Sequence, residues 1–262
     1  MDFFQIYFRG LMLIIFLITM LWLWSVYLKD VSIVDAFWGC GFVILAIYYF
    51  FTTPSSELHP RKILVLVLVG IWGLRLSLYL LIRNWGKPED FRYQKFRNDY
   101  GAHRYWWFSF FQVFLLQGIL LWIISAPLLS TQYFSSSNPL NYLDYLAIMV
   151  WGIGFLFETL GDDQLSKFKS NPANKNKVLN TGLWKYTRHP NYFGDAAIWW
   201  SFGLFSIASG SYLPLISCLI MNVLLLKVSG VVLLERTLTN SKPRYKEYMD
   251  KTPAFFPWFP KK

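Results

Sequence analysis

The residues best suited to chemistry crowd into one polar segment, Asn180-Thr-Gly-Leu-Trp-Lys-Tyr-Thr-Arg-His-Pro-Asn-Tyr-Phe-Gly-Asp195. It lies between an apolar run ending near Leu160 and another beginning near Ala196. Lys185, Arg188, His189, Asn191 and Asp195 stand among the rings of Trp184, Tyr186 and Tyr192. Cationic donors, an amide, a carboxylate and flat rings together suit a phosphorylated, aromatic cofactor. Pro190 biases His189 towards an extended backbone and is itself suited to the first turn of a helix. Asn191 and Asp195 then share a helical face near its N-terminus. The plainer alternative is a loop beside a membrane whose Lys and Arg only set topology.

The rest of the chain must position this segment, and its composition says in what medium. Of 262 residues, 55% are hydrophobic and only 15% charged, against about a quarter charged in a soluble domain. The apolar residues come in long blocks, so the fold class is all-α and polytopic in a membrane. A span needs about 20 mostly apolar residues. Seven stretches qualify as candidates: Leu11–Tyr27, Val34–Phe51, Ile63–Ile82, Phe108–Leu129, Tyr142–Leu160, Ala196–Ala208 and Tyr212–Leu234. The sixth is short and is expected either to borrow length from Tyr192–Asp195 or to lie tilted beside the seventh. No repeat or linker divides the chain, which reads as a single domain over 1–262.

The net charge of +10 suggests cytoplasmic loops and anionic ligands before nucleic acid. The basic residues concentrate in the Arg83–Arg104 loop, the Gly161–Asp195 loop and the tail after Leu234. With seven spans these share one face, while the other carries only Arg9, Arg61 and Lys62. The N-terminus is then outside, the C-terminus cytoplasmic, and any cofactor drawn from the cytoplasm. The apolar run after Arg9 lacks a convincing cleavage site and reads as a retained helix. Cys40 and Cys218 fall inside apolar blocks, and the three histidines lack metal-ligand spacing, so no metal is expected. Gly39-Cys-Gly41 and Gly152-Ile-Gly154 lack the strand–helix context of a dinucleotide fingerprint.

Further polar groups lie at helical spacing within the spans. Trp72, Arg75, Tyr79 and Arg83 form one stripe on the third. A charge at the depth of Arg75 costs at least a few kcal/mol unless a polar cavity or partner receives it. Glu158, Asp162, Leu165 and Lys169 share a face at the end of the fifth, where Asp162 and Lys169 suit a ribose hydroxyl and a phosphate. Asp35 opens the second span and reads either as a helix-dipole residue or as a partly buried acid. The aromatic tail, Thr252-Pro-Ala-Phe-Phe-Pro-Trp258, suits an amphipathic lid or interfacial anchor.

From about Ser32 to the C-terminus the chain resembles the DUF1295 family, grouped with the steroid 5-alpha-reductase C-terminal family. The resemblance rests on Asp35-Ala-Phe-Trp-Gly39, Leu74-Arg-Leu76 with Arg83, and Glu89-Asp-Phe-Arg-Tyr93. It continues through Glu158…Asp162-x-Gln164…Phe168-Lys169, Gly182–Asp195, and Glu235…Tyr245…Tyr248…Thr252-Pro253. It implies a seven-helix bundle taking NADPH from the cytoplasmic side. It also implies reduction of a carbon–carbon double bond conjugated to a carbonyl in a lipid such as a steroid. By that likeness Asp162, Lys169, Tyr186, Arg188, Asn191 and Asp195 contact the cofactor, and Arg75 and Arg83 reach its phosphates or amide. Glu158, His189 and Tyr245 from the same motifs complete the candidate set.

The likeness also implies a catalytic tyrosine about one turn before the arginine of the third helix, and Trp72 stands there instead. Tyr79, one turn after Arg75, is the expected substitute, and Asp35 the counterpart of the partner carboxylate. Asp195 stands where the family more often has Glu. Two other readings stay open. One is an S-adenosylmethionine-dependent methyltransferase resembling isoprenylcysteine carboxyl methyltransferase, which shares an Arg-His-Pro-x-Tyr-x-Gly segment. The other is a non-catalytic lipid-binding membrane protein. The expected location is a bacterial inner membrane or the endoplasmic reticulum; the expected partners are bilayer and lipid-like substrate.

Overall fold

A computed structural model describes residues 1–54, 59–135, 139–228 and 230–261, and these fold into helices without a strand. Five helices are long and apolar enough to cross a membrane: α1 (Phe3–Leu28), α2 (Ile33–Thr52), α3 (Pro60–Asn84), α5 (Ala102–Phe134) and α6 (Tyr142–Ser170). They overlap the first five expected spans. A short polar helix, α4 (Phe91–Tyr100), precedes α5. The helices that follow are α7 (Pro190–Ala208), α8 (Leu215–Val228), α9 (Val231–Ser241) and α10 (Tyr245–Lys251). The chain divides into two compact units, Met1–Pro139 with Ser209–Ser211, and Leu140–Ala208 with Tyr212–Lys262.

In the first unit, α1 begins at an Asp2 capping box, where Asp2 accepts from the Gln5 amide at 2.8 Å. One face of α1 buries Ile6, Gly10, Ile14 and Ile18, the four-residue spacing of a helical ridge. The other face leaves Phe4, Phe8, Met12 and Phe16 exposed. Large apolar side chains turned outward along a 26-residue helix are what a lipid solvent requires, so the protein is an integral membrane protein. Helices α2 and α3 meet through Gly39 and Gly73. A Cβ on Gly39 would lie 2.2 Å from the Gly73 carbonyl oxygen, so the two backbones touch as small residues allow. The Cys40 amide donates to Ser77 Oγ at 2.8 Å beside that contact.

The cations assigned to the opposite face, Arg61 and Lys62, are buried. Arg61 Nη2 donates to the Pro139 carbonyl at 3.0 Å, and Lys62 Nζ to Thr53 Oγ1 at 3.0 Å.

In the second unit, α6 and α7 run antiparallel in close contact. Gly154 packs on Gly194, and Gly161 packs on Pro190 and Asn191. The expected sixth span lies within α7, which begins at Pro190 and runs for 19 residues but is not among the five helices long and apolar enough to cross a membrane. The expected seventh span is interrupted. Helix α8 ends in a π-helical turn over Leu224–Val228 that carries an exposed Lys227, and α9 is a separate helix. Gly230 stands at the break, where a Cβ would lie 1.9 Å from the Leu225 carbonyl oxygen. Ser229, within that expected span, and Lys262 lie outside the described residues.

Candidate functional site

In the first unit a polar knot forms where α2 begins. Asp35 lies in the first turn of α2 and accepts from Tyr93 Oη and from Arg92 Nη2, each at 2.7 Å. Arg92 Nε also donates to Asp90 at 2.9 Å, and Asp90 caps α4 by accepting from the Arg92 amide. The Asp90 amide donates to Ser32 Oγ at 2.7 Å. Glu89 accepts from Arg97 and from the Val31 amide. The Glu89–Tyr93 stretch is thereby tied to the turn before α2. Tyr93 is buried, and Gln117 Nε2 donates to its oxygen at 3.3 Å. Burial first, and then the negative charge of Asp35, hold the Tyr93 phenol well above its ordinary range. An ordinary phenol already keeps its proton at neutral pH, and this shift only strengthens that. Burial also pulls Asp90 upward, but the hydrogen bonds from Arg92 outweigh it and leave that carboxyl below the usual range.

The α3 stripe is assembled as its spacing implies. The Arg75 guanidinium lies 5.3 Å and the Arg83 guanidinium 5.8 Å from the Tyr79 ring centroid, so one ring has two cations within cation–π range. Trp72, in the position of the expected tyrosine, is fully buried beside Phe42.

In the second unit the central segment folds back onto α6. Gly182 has φ +60°, a conformation glycine adopts without strain. The next amide, of Leu183, donates to Gln164 Oε1 at 3.0 Å, and Trp184 Nε1 donates to the Gly161 carbonyl at 3.2 Å. Asn191 Nδ2 donates to Asp162 Oδ1 at 3.2 Å. Asp162 and Glu158 are buried along the α6–α7 seam, with Glu158 against Gly194. Asp195 is half-buried one turn after Asn191, and Lys169 is exposed at the end of α6.

Arg188 and His189 face another set of partners. Arg188 Nε donates to Glu235 Oε1 at 2.7 Å, and Nη1 donates to the carbonyls of Met249 and Thr252 at 2.8 and 2.6 Å. His189 Nε2 lies 3.1 Å from the same Glu235 oxygen, and its ring stacks on Tyr192. Burial pushes the Glu235 carboxyl upward, but hydrogen bonds and charge from His189 and Arg188 hold it below its ordinary value. Tyr245 is buried nearby, its phenol raised by burial and then by the Glu235 charge. The tail is strapped over the segment: Arg188 N donates to the Pro253 carbonyl and Trp258 N to the Tyr186 carbonyl, both at 2.9 Å. The Tyr186 ring is exposed and meets Phe259 edge-on.

The structure thus brings together Asp162 with Asn191, Arg188 with His189 and Glu235, and Arg75 with Tyr79 and Arg83. Sequence reasoning named Asp35 without its partners. Tyr93 was visible only as the end of the Glu89–Tyr93 motif, and Glu235 only as a late acidic residue. The described residues hold no group of His, Cys, Asp and Glu able to bind a metal.

The chain is 26% identical over 271 residues to Uncharacterized protein C594.04c of Schizosaccharomyces pombe, spanning 95% of this chain and 78% of that protein. It is 28% identical over 111 residues to Delta(14)-sterol reductase ERG24A of Gibberella zeae, a match covering 36% of this chain and 22% of the reductase. No solved structure matches. The sequence profile described as Protein of unknown function (DUF1295) matches residues 21–252. That match spans most of the polypeptide, and the chain belongs to the DUF1295 family.

Proposed function

We propose that this protein is a membrane reductase that uses NADPH to reduce a carbon–carbon double bond conjugated to a carbonyl in a lipid or steroid-like substrate. The observation that carries the reading is the buried phenol of Tyr93, fixed at 2.7 Å by Asp35. Tyr93 has a single hydroxyl proton, which Asp35 accepts here; in this reading an enone oxygen takes that hydrogen bond over from Asp35, and the phenol then stabilises the charge that develops there. Asp35 holds that phenol in place until the enone binds, and its ion pair with Arg92 at 2.7 Å weakens its hold on the phenolic proton. We assign the polarising role to Tyr93, and we assign Tyr79 to the stripe that positions Arg75 and Arg83. The 28% match to a segment of a sterol reductase supports the reaction class.

The donor set of the second unit fits a dinucleotide. The Asp162 carboxylate and Asn191 amide, paired at 3.2 Å, suit ribose hydroxyls or a carboxamide. Lys169, two helical turns beyond Asp162, supplies a cation for a phosphate, with Glu158 and Asp195 on the surrounding walls. NADPH, when bound, supplies the hydride. Arg188, His189, Glu235 and Tyr245 hold the tail against the central segment and so fix the backbone from which Asn191 and Asp195 project. The concentration of basic residues in these loops supports a cytoplasmic position for them.

Purified protein in detergent is the test. NADPH should raise its melting temperature, and a steroid enone should then drive oxidation of the nicotinamide. Asn191→Ala should weaken NADPH binding while leaving the melting temperature of the unliganded protein nearly unchanged. Stabilisation by S-adenosylmethionine and not by NADPH would overturn the reading in favour of methyl transfer. No response to either would favour the non-catalytic lipid-binding protein.

A further inference from the structure

One cavity lies among residues with no part in the proposed reaction. It has a volume of about 900 Å³, and its lining includes Lys177, Lys185, Arg244 and Lys251, with Glu247 as the one carboxylate. All of these belong to the second unit. None of the four cations forms an ion pair among the described residues. Four positive charges around one concavity repel one another, and a bound anion relieves that repulsion. The floor is polar as well, with the buried Thr252 and Tyr248.

The walls are built rather than loose. Tyr248 donates its hydroxyl to the Trp184 carbonyl, and Lys242 donates to the Lys177 carbonyl. The Lys261 amide donates to the Lys251 carbonyl at 2.8 Å, which brings the tail beside Pro260 over the rim. These bonds fix the backbone of the three segments that form the concavity, and its four exposed cations stand on two of them.

We infer that this pocket binds a ligand carrying phosphate on an organic body. The charge calls for an anion, and Arg with several Lys suits phosphate in particular. The volume lies in the range of sites for drug-sized ligands and far exceeds what inorganic phosphate fills. Val178, Pro243 and Pro260 supply apolar wall for the organic part. Two sources share this chemistry: a soluble nucleotide, and the headgroup of an anionic lipid, which a pocket beside a membrane can reach.

The 262-residue chain in neutral detergent distinguishes them. The probes are ADP for the soluble source, and dihexanoyl phosphatidic acid against dihexanoyl phosphatidylcholine for the headgroup. Affinities are measured for wild type, for R244Q/K251Q, and for K95Q/R104Q as a control that removes two exposed cations of the first unit. At least one phosphate probe should bind saturably, weaken tenfold or more in R244Q/K251Q, and change less than twofold in the control. The charge-preserving R244K/K251R should recover most of the affinity. Tenfold loss for ADP alone assigns the soluble source, and loss for phosphatidic acid alone assigns the headgroup. No saturable binding of either probe to wild type, or equal losses in both double variants, would overturn the assignment. N191A should retain the affinity for whichever probe binds, so failure of the reductase reading and failure of this one are read separately.

Discussion

Arg188 and Glu235 lie 2.7 Å apart with both side chains largely buried, and they join the central segment to α9. Two further guanidinium bonds reach the carbonyls of Met249 and Thr252. One side chain therefore holds α9, α10 and the start of the tail. Removing one member of such a pair leaves the other charge buried without its partner, at a cost of about 3–5 kcal/mol. Arg188→Ala should therefore lower the melting temperature sharply and release the tail to proteolysis. Arg188→Lys should recover little, because an ammonium cannot reproduce a fork that serves Glu235 and two carbonyls. Thermal melts and limited proteolysis of both variants check this. An Arg188→Ala protein as stable and protease-resistant as wild type would remove the clamp.

The same carboxylate makes stability depend on pH. The folded Glu235 is held below its ordinary value of 4.5, so folding favours its ionised form. Its stabilising contribution is complete above the unfolded value and is lost as pH falls through the lower folded one. The melting temperature of wild type should therefore decline on acidification below about 4.5, the ordinary carboxyl range. Glu235→Gln should start lower at neutral pH and show a shallower acid limb. Parallel acid limbs for the two proteins would assign the decline to other carboxylates.

These contacts also show what could be read before the fold was known. The first five apolar runs became helices because their length and composition leave a membrane chain no other way to satisfy its backbone. Pro190 marked the start of α7 because its ring is compatible with a first turn and with little after it. The pairings were another matter. Arg92 reaches Asp35 across 57 residues, and Arg188 reaches Glu235 across 47; no local period encodes such a contact. Arg61 and Lys62 resembled exposed topology signals because sequence gives charge without burial. Gly230 could not be recognised as a break, since the conflict there is with the carbonyl oxygen of Leu225 and not with the hydrophobic pattern.

The seam between α6 and α7 gives a prediction with its own control on the same helix. A Cβ at Gly194 would lie 2.4 Å from the Glu158 backbone nitrogen and 2.5 Å from the Gly154 carbonyl oxygen. Backbone cannot swing aside as a side-chain tip can, so Gly194→Ala must part the helices, at a cost of about 1–3 kcal/mol or more. Glu158 and Asp162 lie on that seam, so NADPH affinity should fall with stability. At Gly152 a Cβ would meet nothing within 4 Å. Gly152→Ala should be neutral or stabilise by up to about 1 kcal/mol through helix propensity. Melting curves of the two variants test the close approach, and equal effects would refute it.

Tyr93 and Asp35 allow binding to be separated from chemistry. Removing the Tyr93 hydroxyl takes away the proposed hydrogen-bond donor while preserving the buried ring. Loss of a positioned acid or an oxyanion donor costs about 10²–10³-fold in rate. Tyr93→Phe should therefore lower kcat for enone reduction on that scale, with NADPH affinity within about twofold of wild type, an expected limit for an uncoupled site. Asp35→Asn keeps the shape but removes the charge that holds Arg92 at 2.7 Å. It should lower kcat by a smaller factor and also destabilise the turn before α2. Tyr79→Phe retains a ring for Arg75 and Arg83 to face and should leave kcat nearly intact. Single-turnover rates with bound NADPH would separate these cases. A Tyr79→Phe protein that has lost turnover beside a fully active Tyr93→Phe would return the acid to Tyr79 on α3 and reduce the Asp35–Tyr93 contact to a structural tie.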